Sequence, residues 1–213
     1  MPEWSLVIPV KRLEVAKTRL RQAVPGVEHD RLVLAICLDT VDAALRCPAV
    51  GRVLAVTDDV VAGEALRALG AVVVADGPDA GLNPALEHGA ALATSLAPSR
   101  PVAVVSADLP ALRPAELAAA LAAAADHLRS FVADAAGTGT TLLAVAAGQA
   151  LRPAYGRDSR SAHAASGAVE LHGDWPSLRC DVDTPADLAA AAALGLGTAG
   201  KALLGLDSRG ERA

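Results

Sequence analysis

Short apolar runs alternate with longer stretches of helical spacing along most of the chain. The runs at residues 4–10, 53–56, 72–75 and 102–105 have the length and near-continuous hydrophobicity of buried strands. Between them, apolar residues recur every three or four positions, as in 30–46, which is typical of amphipathic helices. Strands that alternate with helices predict a mainly parallel sheet that is covered by helices on both faces.

The second half of the chain continues this alternation. An alanine-rich helix is predicted from Pro114 to about residue 128, with the proline in the first turn, where its missing N–H has no partner to lose. The other expected elements are strands at 130–133, 141–145 and 169–171 and helices at 158–165 and 185–194. No sustained apolar period follows, so we expect one domain at 1–194 and a loosely packed tail at 195–213.

Composition narrows the class of protein. With 213 residues, 53% of them hydrophobic, the chain is long enough to bury one sizeable core. A net charge of -5 argues against binding to a nucleic-acid backbone, which requires a basic face. No apolar run reaches the roughly 20 residues that span a bilayer, and the first residues do not resemble a signal peptide. We therefore expect a cytoplasmic protein without a nucleic-acid or membrane partner.

Cysteine and histidine give no sign of a metal or disulfide site. Cys37, Cys47 and Cys180 are odd in number and lack CxxC spacing, so we expect plain thiols. The histidines stand alone, without partners at the spacing of a zinc site or a catalytic triad. We expect surface or helix-face positions for all of them, which are His29, His88, His127, His163 and His172.

A basic segment follows the first predicted strand. Lys11, Arg12, Lys17 and Arg19 place four cations within nine residues at the carboxyl end of a parallel strand, where open α/β sheets bind ligands. Such a group of cations is able to neutralise a triphosphate, although a solvated basic loop is the simpler alternative. The segment contains no glycine, which excludes a P-loop or a dinucleotide-binding fingerprint.

Aspartates follow two later segments of the sheet region. Asp108 comes directly after the apolar run 102–105, at a position suited to holding Mg2+ against phosphate oxygens. Asp181 and Asp183 flank an apolar Val182 and are expected on one side of the chain, where two carboxylates repel unless a cation joins them. The structural alternative is a turn or a helix cap, and a cap would explain one of the pair but not both.

Three further polar segments are weaker candidates. Asn83 precedes a helix and is suited either to capping it or to contacting a base or a ribose. The turns at 137–140 and 156–159 contain glycine and small polar residues, and the second one opens a short helix whose N–H groups suit an anion. Ordinary loop chemistry would explain any one of these segments alone.

Taken in order, these segments resemble the guanylyltransferases of deazaflavin coenzyme biosynthesis, which act on phosphoenolpyruvate or 2-phospho-L-lactate. The resemblance covers about residues 4–194 and rests on Lys11-Arg12, the Lys-Thr-Arg-Leu stretch at 17–20, and the segments 81–83, 108–110, 137–140, 156–159 and 181–188. It implies a single-domain α/β nucleotidyltransferase fold of the glycosyltransferase-A-like kind, with a mixed, mostly parallel sheet flanked by helices.

The resemblance also implies roles for individual residues. Thr140, Gly156 and Ser159 would bind the phosphorylated acid. The nucleotide would contact Lys11, Lys17, Arg19 and Asn83, and Mg2+ would be held by Asp108, Asp181 and Asp183. Of these residues, Asp108, Lys17 and Arg19 would act in catalysis.

The expected reaction is transfer of GMP from GTP to phosphoenolpyruvate with release of pyrophosphate. Alternatives are 2-phospho-L-lactate as the acceptor, a sugar-phosphate or molybdopterin nucleotidyltransferase, and a nucleotide-binding regulatory domain without turnover. Sugar-phosphate and molybdopterin nucleotidyltransferases usually carry a glycine-rich loop after the first strand, and this chain has no such loop. Apolar helices are compatible with a homodimer, and an unstable product is compatible with direct hand-off to a downstream transferase.

Overall fold

The computed structural model describes residues 3–21, 23–77 and 80–206, and within them seven strands form one sheet. In chain order the strands are β1 (Trp4–Pro9), β2 (Val50–Val56), β3 (Val72–Val74), β4 (Val102–Val105), β5 (Arg129–Ala133), β6 (Thr140–Val145) and β7 (Val169–Glu170). Their order across the sheet is β3-β2-β1-β4-β6-β5-β7. In this part of the chain β6 alone pairs antiparallel with its neighbours, so the predicted mixed, mostly parallel sheet is confirmed.

Helices cover both faces of this sheet. They are α1 (His29–Leu45), α2 (Val60–Leu69), α3 (Leu82–Leu96), α4 (Pro114–Ala124), α5 (Ser159–Ala165), α6 (Pro176–Arg179), α7 (Pro185–Leu194) and α8 (Thr198–Leu204). No single helix of the described ranges has the length and apolar character to cross a bilayer. Helices α7 and α8 meet that test only if they are counted as one segment, and the angle between them is 116°.

Side-chain alternation along β1 divides the core into two layers. Leu6 and Ile8 join the apolar cluster that contains α1, whereas Val7 joins the cluster that contains α3. Helix α3 lies so close to the sheet that a Cβ at Gly89 would stand 2.7 Å from Cγ1 of Val7 and 2.8 Å from Cγ2 of Val56. A glycine is therefore needed there, and this close packing fixes α3 over the strands.

The strand order creates a switch point between β1 and β4. The chain leaves β1 toward β2 on one side, while β4 pairs with the other side of β1. Loops diverge at such a point and leave a crevice outside the carboxyl ends of the strands. The segments that follow β1 and β4 therefore meet at the place where the sequence predicts ligand binding.

The end of the alanine-rich helix differs from the prediction. The alanine-rich helix ends at Ala124 rather than near residue 128, because the chain turns at Asp126 and His127 to enter β5. Leu128, counted as helical from the pattern, lies in this turn and is 69% exposed.

The expectation of a loosely packed tail is wrong for the described residues after 194. Buried Asp39 of α1 accepts hydrogen bonds from the N–H groups of Ala199 (2.7 Å) and Gly200 (2.9 Å) at the start of α8. A Cβ at Gly197 would lie 2.4 Å from Oδ1 of Asp39, so glycine permits this approach. The tail thus docks through polar contacts that apolar periodicity does not reveal, and residues 207–213 lie outside the described part of the chain.

Candidate active site

The loop after β1 is anchored at its two ends. The side chains of Leu13 and Leu20 are buried, and the N–H of Leu13 donates to the Asp59 carboxylate at 2.9 Å. His29 at the start of α1 contacts the carbonyl of Ala16 at 2.8 Å. These contacts hold a segment that has no strand or α-helix of its own beside the crevice.

Within this loop the cations divide into two groups. Lys11, Arg12 and Arg19 are exposed, whereas the Lys17 side chain is only 18% exposed and turns inward. Lys17 has a left-handed backbone (φ 50°), which is uncommon for a residue other than glycine. The charge of Lys17 is therefore directed at the crevice, whereas the other three cations face solvent.

The Lys17 ammonium joins two of the predicted carboxylates. It donates to Asp108, and it donates to Oδ1 of Asp183 at 2.5 Å. Burial lowers the pKa of Lys17, but the charges and hydrogen bonds of Asp108 and Asp183 outweigh this and leave the pKa above its ordinary value. Lys17 is therefore held as a cation between carboxylates from two distant parts of the sequence.

Backbone contacts bring these parts together. The carbonyl of Asp108 accepts from the N–H of Val182 at 3.0 Å, and the N–H of Leu109 donates to Thr40 Oγ1 of α1, also at 3.0 Å. Val182 is fully buried, as the alternating pattern predicts. The segment that carries Asp183 is thus fixed directly against the end of β4.

Helix capping falls to neighbours of Asp183. The Thr184 hydroxyl accepts from the N–H of Asp187 at 3.3 Å, and Oδ2 of Asp187 accepts from the N–H groups of Thr184 (2.8 Å) and Asp183 (3.1 Å). This reciprocal arrangement is a capping box. It provides partners for the free backbone N–H groups at the start of α7, and the Asp183 carboxylate binds Lys17 instead. The capping alternative is therefore right for Thr184 and wrong for the Asp183 carboxylate.

Negative charge accumulates next to this ion pair. Burial raises the pKa of Asp181 to about 7, and the charges of Asp108, Asp134 and Asp183 contribute to the rise. Oδ1 of Asp108 is buried without a hydrogen-bond partner. Oxygen donors that repel one another and lack partners are the chemistry that a hard divalent cation suits.

The residues therefore fit a divalent metal by donor type. In ranges 3–21, 23–77 and 80–206, no three His, Cys, Asp or Glu side chains are grouped closely enough to enclose one. The Lys17 ammonium instead lies between Asp108 and Asp183. The ligand set Asp108, Asp181 and Asp183 accordingly stays a prediction.

A cavity of about 430 Å³ lies on the β1 side of the crevice. Its wall includes three of the residues predicted to contact the nucleotide, Lys11, Lys17 and Arg19, together with Asp108. Apolar side chains of α1 and α3 form its floor. Cations at one end and an apolar floor suit a nucleoside triphosphate, so we refer to it as the nucleotide cavity.

A second cavity of about 370 Å³ adjoins the first on the β5–β6 side. Its wall contains all three residues predicted to bind the acid, Thr140, Gly156 and Ser159, and also Asp181 and Asp183. Gly156 has φ 144°, a conformation that side-chain-bearing residues rarely adopt, so it permits the turn that forms one rim. We refer to this space as the acceptor cavity.

Asn83 binds the backbone of Tyr155, a residue that lines both cavities. Its side-chain amide donates to the Tyr155 carbonyl at 3.0 Å, and its oxygen accepts from the Tyr155 N–H at 2.9 Å. Asn83 does not cap α3, whose N-cap is Gly81. Its main contact in the structure is to Tyr155, and a contact to the nucleotide stays a prediction.

His163 lies on a helix, α5, which is one of the two expected positions, but the helix face that carries it is fully buried. Its Nε2 accepts from the Ala154 N–H at 2.9 Å, so the ring hydrogen must be on Nδ1, which donates to Thr140 Oγ1 at 2.9 Å. Thr140 therefore accepts this bond and keeps its own hydroxyl hydrogen for another partner. Because Thr140 borders the acceptor cavity, a ligand there could be that partner. Burial and the charge of Arg129 lower the pKa of His163 to about 4, which keeps it neutral.

Sequence reasoning missed three residues of this region: Asp134, Tyr155 and His163. Oδ1 and Oδ2 of Asp134 accept from the N–H groups of Thr138 (2.9 Å) and Gly139 (2.8 Å) and so shape the turn before β6. A signal for Asp134 was present, because it follows β5 as Asp108 follows β4. Tyr155 is the single tyrosine of a chain with 2% aromatic residues, which also singled it out.

Comparison with known proteins gives a consistent result. The family model described as Guanylyl transferase CofC like matches residues 4–204. A phosphoenolpyruvate guanylyltransferase of Streptomyces coelicolor is 58% identical over 196 residues, covering 92% of each chain. One from Thermomonospora curvata is 60% identical over 195 residues, covering 91% of this chain and 85% of that protein.

Among solved structures, a 4-diphosphocytidyl-2C-methyl-D-erythritol synthase superposes with a TM-score of 0.62 at 19% identity, covering 91% of this chain and 99% of that one. At that identity the likeness concerns the fold alone. It confirms the α/β nucleotidyltransferase fold that the sequence predicted.

Proposed function

The chain belongs to the family of CofC-like guanylyl transferases, and on that premise we propose that it transfers GMP from GTP to phosphoenolpyruvate in deazaflavin coenzyme biosynthesis. The observation that carries the proposal is the meeting of two cavities at one charged centre. Leu82, Tyr155 and Asp183 border both cavities, and Asp183 is tied to Asp108 through Lys17. A triphosphate in one cavity and a phosphorylated acid in the other would place their phosphates side by side.

In the proposed reaction, an oxygen of the phosphoenolpyruvate phosphate attacks the α-phosphorus of GTP. A new P–O bond forms, the bond from the α-phosphorus to the bridging oxygen breaks, and pyrophosphate leaves with that electron pair. A phosphate monoester is largely ionised at neutral pH, so the nucleophile needs no general base. Catalysis then depends on aligning two polyanions and offsetting their repulsion.

The side chains of this chain supply that alignment. Lys17 and Arg19 would neutralise the triphosphate, and Lys11 at the cavity mouth would steer it in. Asp108, Asp181 and Asp183 would hold Mg2+, which supplies charge stabilisation to phosphate oxygens. Thr140 and Ser159 would fix the acid, with the Thr140 hydroxyl hydrogen directed into the acceptor cavity by His163.

The acceptor assignment is favoured by the relatives. The matched proteins of Streptomyces coelicolor and Thermomonospora curvata are phosphoenolpyruvate guanylyltransferases. 2-Phospho-L-lactate differs from phosphoenolpyruvate at one double bond, so it is the second candidate acceptor. Cys37, Cys47 and Cys180 are free thiols, which suits the reducing cytoplasm in which we place the reaction.

Product analysis tests this proposal. Purified protein is incubated with Mg2+ and GTP, with phosphoenolpyruvate or 2-phospho-L-lactate in separate tubes, and products are identified by mass spectrometry while pyrophosphate is followed. We expect enolpyruvyl-diphospho-guanosine and an equal amount of pyrophosphate in the first tube. Turnover of 2-phospho-L-lactate alone would overturn the acceptor, and no pyrophosphate in either tube would favour a binding domain without turnover.

A further inference from the structure

Tyr155 is the residue at which the two cavities join. Its side chain borders both the nucleotide cavity and the acceptor cavity. Leu82 and Asp183 share this position, but Leu82 has no polar group and Asp183 is engaged by Lys17. Among the described residues common to both walls, Tyr155 is thus the one whose side chain carries a hydrogen-bond donor.

The hydroxyl of Tyr155 has nothing to bind within the protein. Its oxygen is buried and has no hydrogen-bond partner. A buried hydroxyl without a partner loses solvation that folding does not restore. Tyrosine hydroxyls usually find a partner when buried, so a partner supplied by a ligand would account for this one.

The rest of Tyr155 is held on three sides. The Asn83 side chain forms hydrogen bonds with both the N–H (2.9 Å) and the carbonyl (3.0 Å) of Tyr155. The neighbouring N–H of Ala154 is bound by His163 at 2.9 Å. The His163 ring meets the Tyr155 ring edge to face, with centroids 5.1 Å apart. Such restraint on a residue with an unused donor is the arrangement expected of a group that acts on a ligand.

The position of the hydroxyl indicates which ligand atoms it reaches. Asp108, which also borders the nucleotide cavity, lies close enough to influence the ionisation of Tyr155. In the proposed transfer, the α-phosphorus lies where the two cavities meet, beside Asp183, which lines both, and Asp108, which lines the first. Phosphate oxygens accept hydrogen bonds, and a phenol with an ordinary pKa of about 10 keeps its proton at neutral pH.

We propose that Tyr155 is a further catalytic residue, whose hydroxyl donates a hydrogen bond to a non-bridging oxygen of the transferred α-phosphate as it passes between the cavities. The inference rests on the proposed guanylyl transfer. Tyr155 moves no proton in this step, and His163 and Asn83 act as positioning residues behind it. The bond stabilises the transition state, in which charge is spread over the equatorial oxygens of the phosphorus while the attacking and leaving oxygens lie roughly in line.

The test compares Tyr155→Phe with Ser130→Ala. The first change removes the hydroxyl but keeps the ring against His163 and the backbone held by Asn83. Ser130 of β5 supplies the matched control, since its hydroxyl is also buried without a partner but borders neither cavity. Steady-state kinetics with GTP and phosphoenolpyruvate and thermal melting are measured for both variants and the wild type.

We expect Tyr155→Phe to lower kcat about 10- to 100-fold with both KM values within threefold, because a donor used in the transition state is lost. Its melting temperature without substrates should equal or exceed that of the wild type, because the change removes a buried hydroxyl that has no partner. Ser130→Ala should keep kcat within twofold. If Tyr155→Phe keeps kcat within threefold, or raises KM at unchanged kcat, the catalytic assignment is wrong. An inactive wild type would instead reject the proposed function itself.

Discussion

The loop after β1 and the loop at 153–159 face one another across the crevice, yet different forces hold them. The first places Lys17 between Asp108 and Asp183 and leaves Lys11 and Arg19 exposed. The second is fixed by neutral hydrogen bonds, one donated by its Ala154 N–H to buried His163 and two exchanged by Tyr155 with half-buried Asn83. The nucleotide side thus depends on charge, which salt screens, and the acceptor side depends on a buried polar network, which salt affects little.

This difference follows from what each side would bind. A triphosphate carries several charges and is attracted by cations that need not be rigid. A small acid offers few atoms, so its orientation requires fixed donors such as the Thr140 hydroxyl. Changes to the first side should therefore act on charge stabilisation, and changes to the second on acceptor binding.

The largest effect is expected from Asp108→Asn. Loss of this carboxylate removes the centre of the charged side, so kcat should fall by about a hundredfold or more with the fold retained. Asp42→Asn is the matched control, because Asp42 pairs with Arg46 on the surface of α1. Pyrophosphate release and thermal melting measure the two effects, and an Asp108 variant within fivefold of wild type would refute the assignment.

Lys17→Met should have the next largest effect. The change leaves Asp108 and Asp183 without their shared cation, and we expect kcat/KM for GTP to fall about 10- to 100-fold. Arg46→Met, which removes a surface cation, should change it less than twofold. The same assay at low and high ionic strength checks the cause, because the wild-type rate should decline with salt more steeply than that of the Lys17 variant.

His163→Ala tests the acceptor side. Loss of the contacts to Thr140 and Ala154 should lower kcat/KM for phosphoenolpyruvate about tenfold and the free energy of unfolding by about 2 kcal/mol. Binding of GTP alone, followed by calorimetry, should change less than twofold. A variant that weakens GTP as much as the acceptor would show that the two sides are not held independently, and exposed His172→Ala serves as the control.

An effect on stability, and not on the chemical step, is expected from pH. Burial and Arg129 lower the pKa of His163 to about 4, whereas the unfolded chain has an ordinary histidine. Between about pH 6.5 and 4 the unfolded state therefore binds more protons, so stability falls as the pH is lowered, by up to about 3 kcal/mol. Urea unfolding at a series of pH values measures this, and His163→Gln should show a flatter slope over that window.

The sequence predicted the nucleotide side of the crevice better than the acceptor side. Asp108 and Lys17 lie in the segments that follow the apolar runs 102–105 and 4–10, and the ends of parallel strands meet at one edge, so their proximity was predictable. His163, Asn83 and Tyr155 act through hydrogen bonds to residues 9 to 72 positions away. No local pattern encodes such pairs. Helix α8 was missed for a similar reason, since its partner is the buried Asp39 on α1.

The most direct test of the account is a crystal structure with Mg2+, phosphoenolpyruvate and a GTP analogue that has a methylene group between its α- and β-phosphorus atoms. We predict the nucleotide in the cavity lined by Lys17 and the acid in the cavity lined by Thr140 and Ser159. An acceptor oxygen should lie roughly 3–3.5 Å from the α-phosphorus, beside Asp108. An acid bound away from Thr140, or a triphosphate whose α-phosphorus faces away from the acceptor cavity, would contradict it.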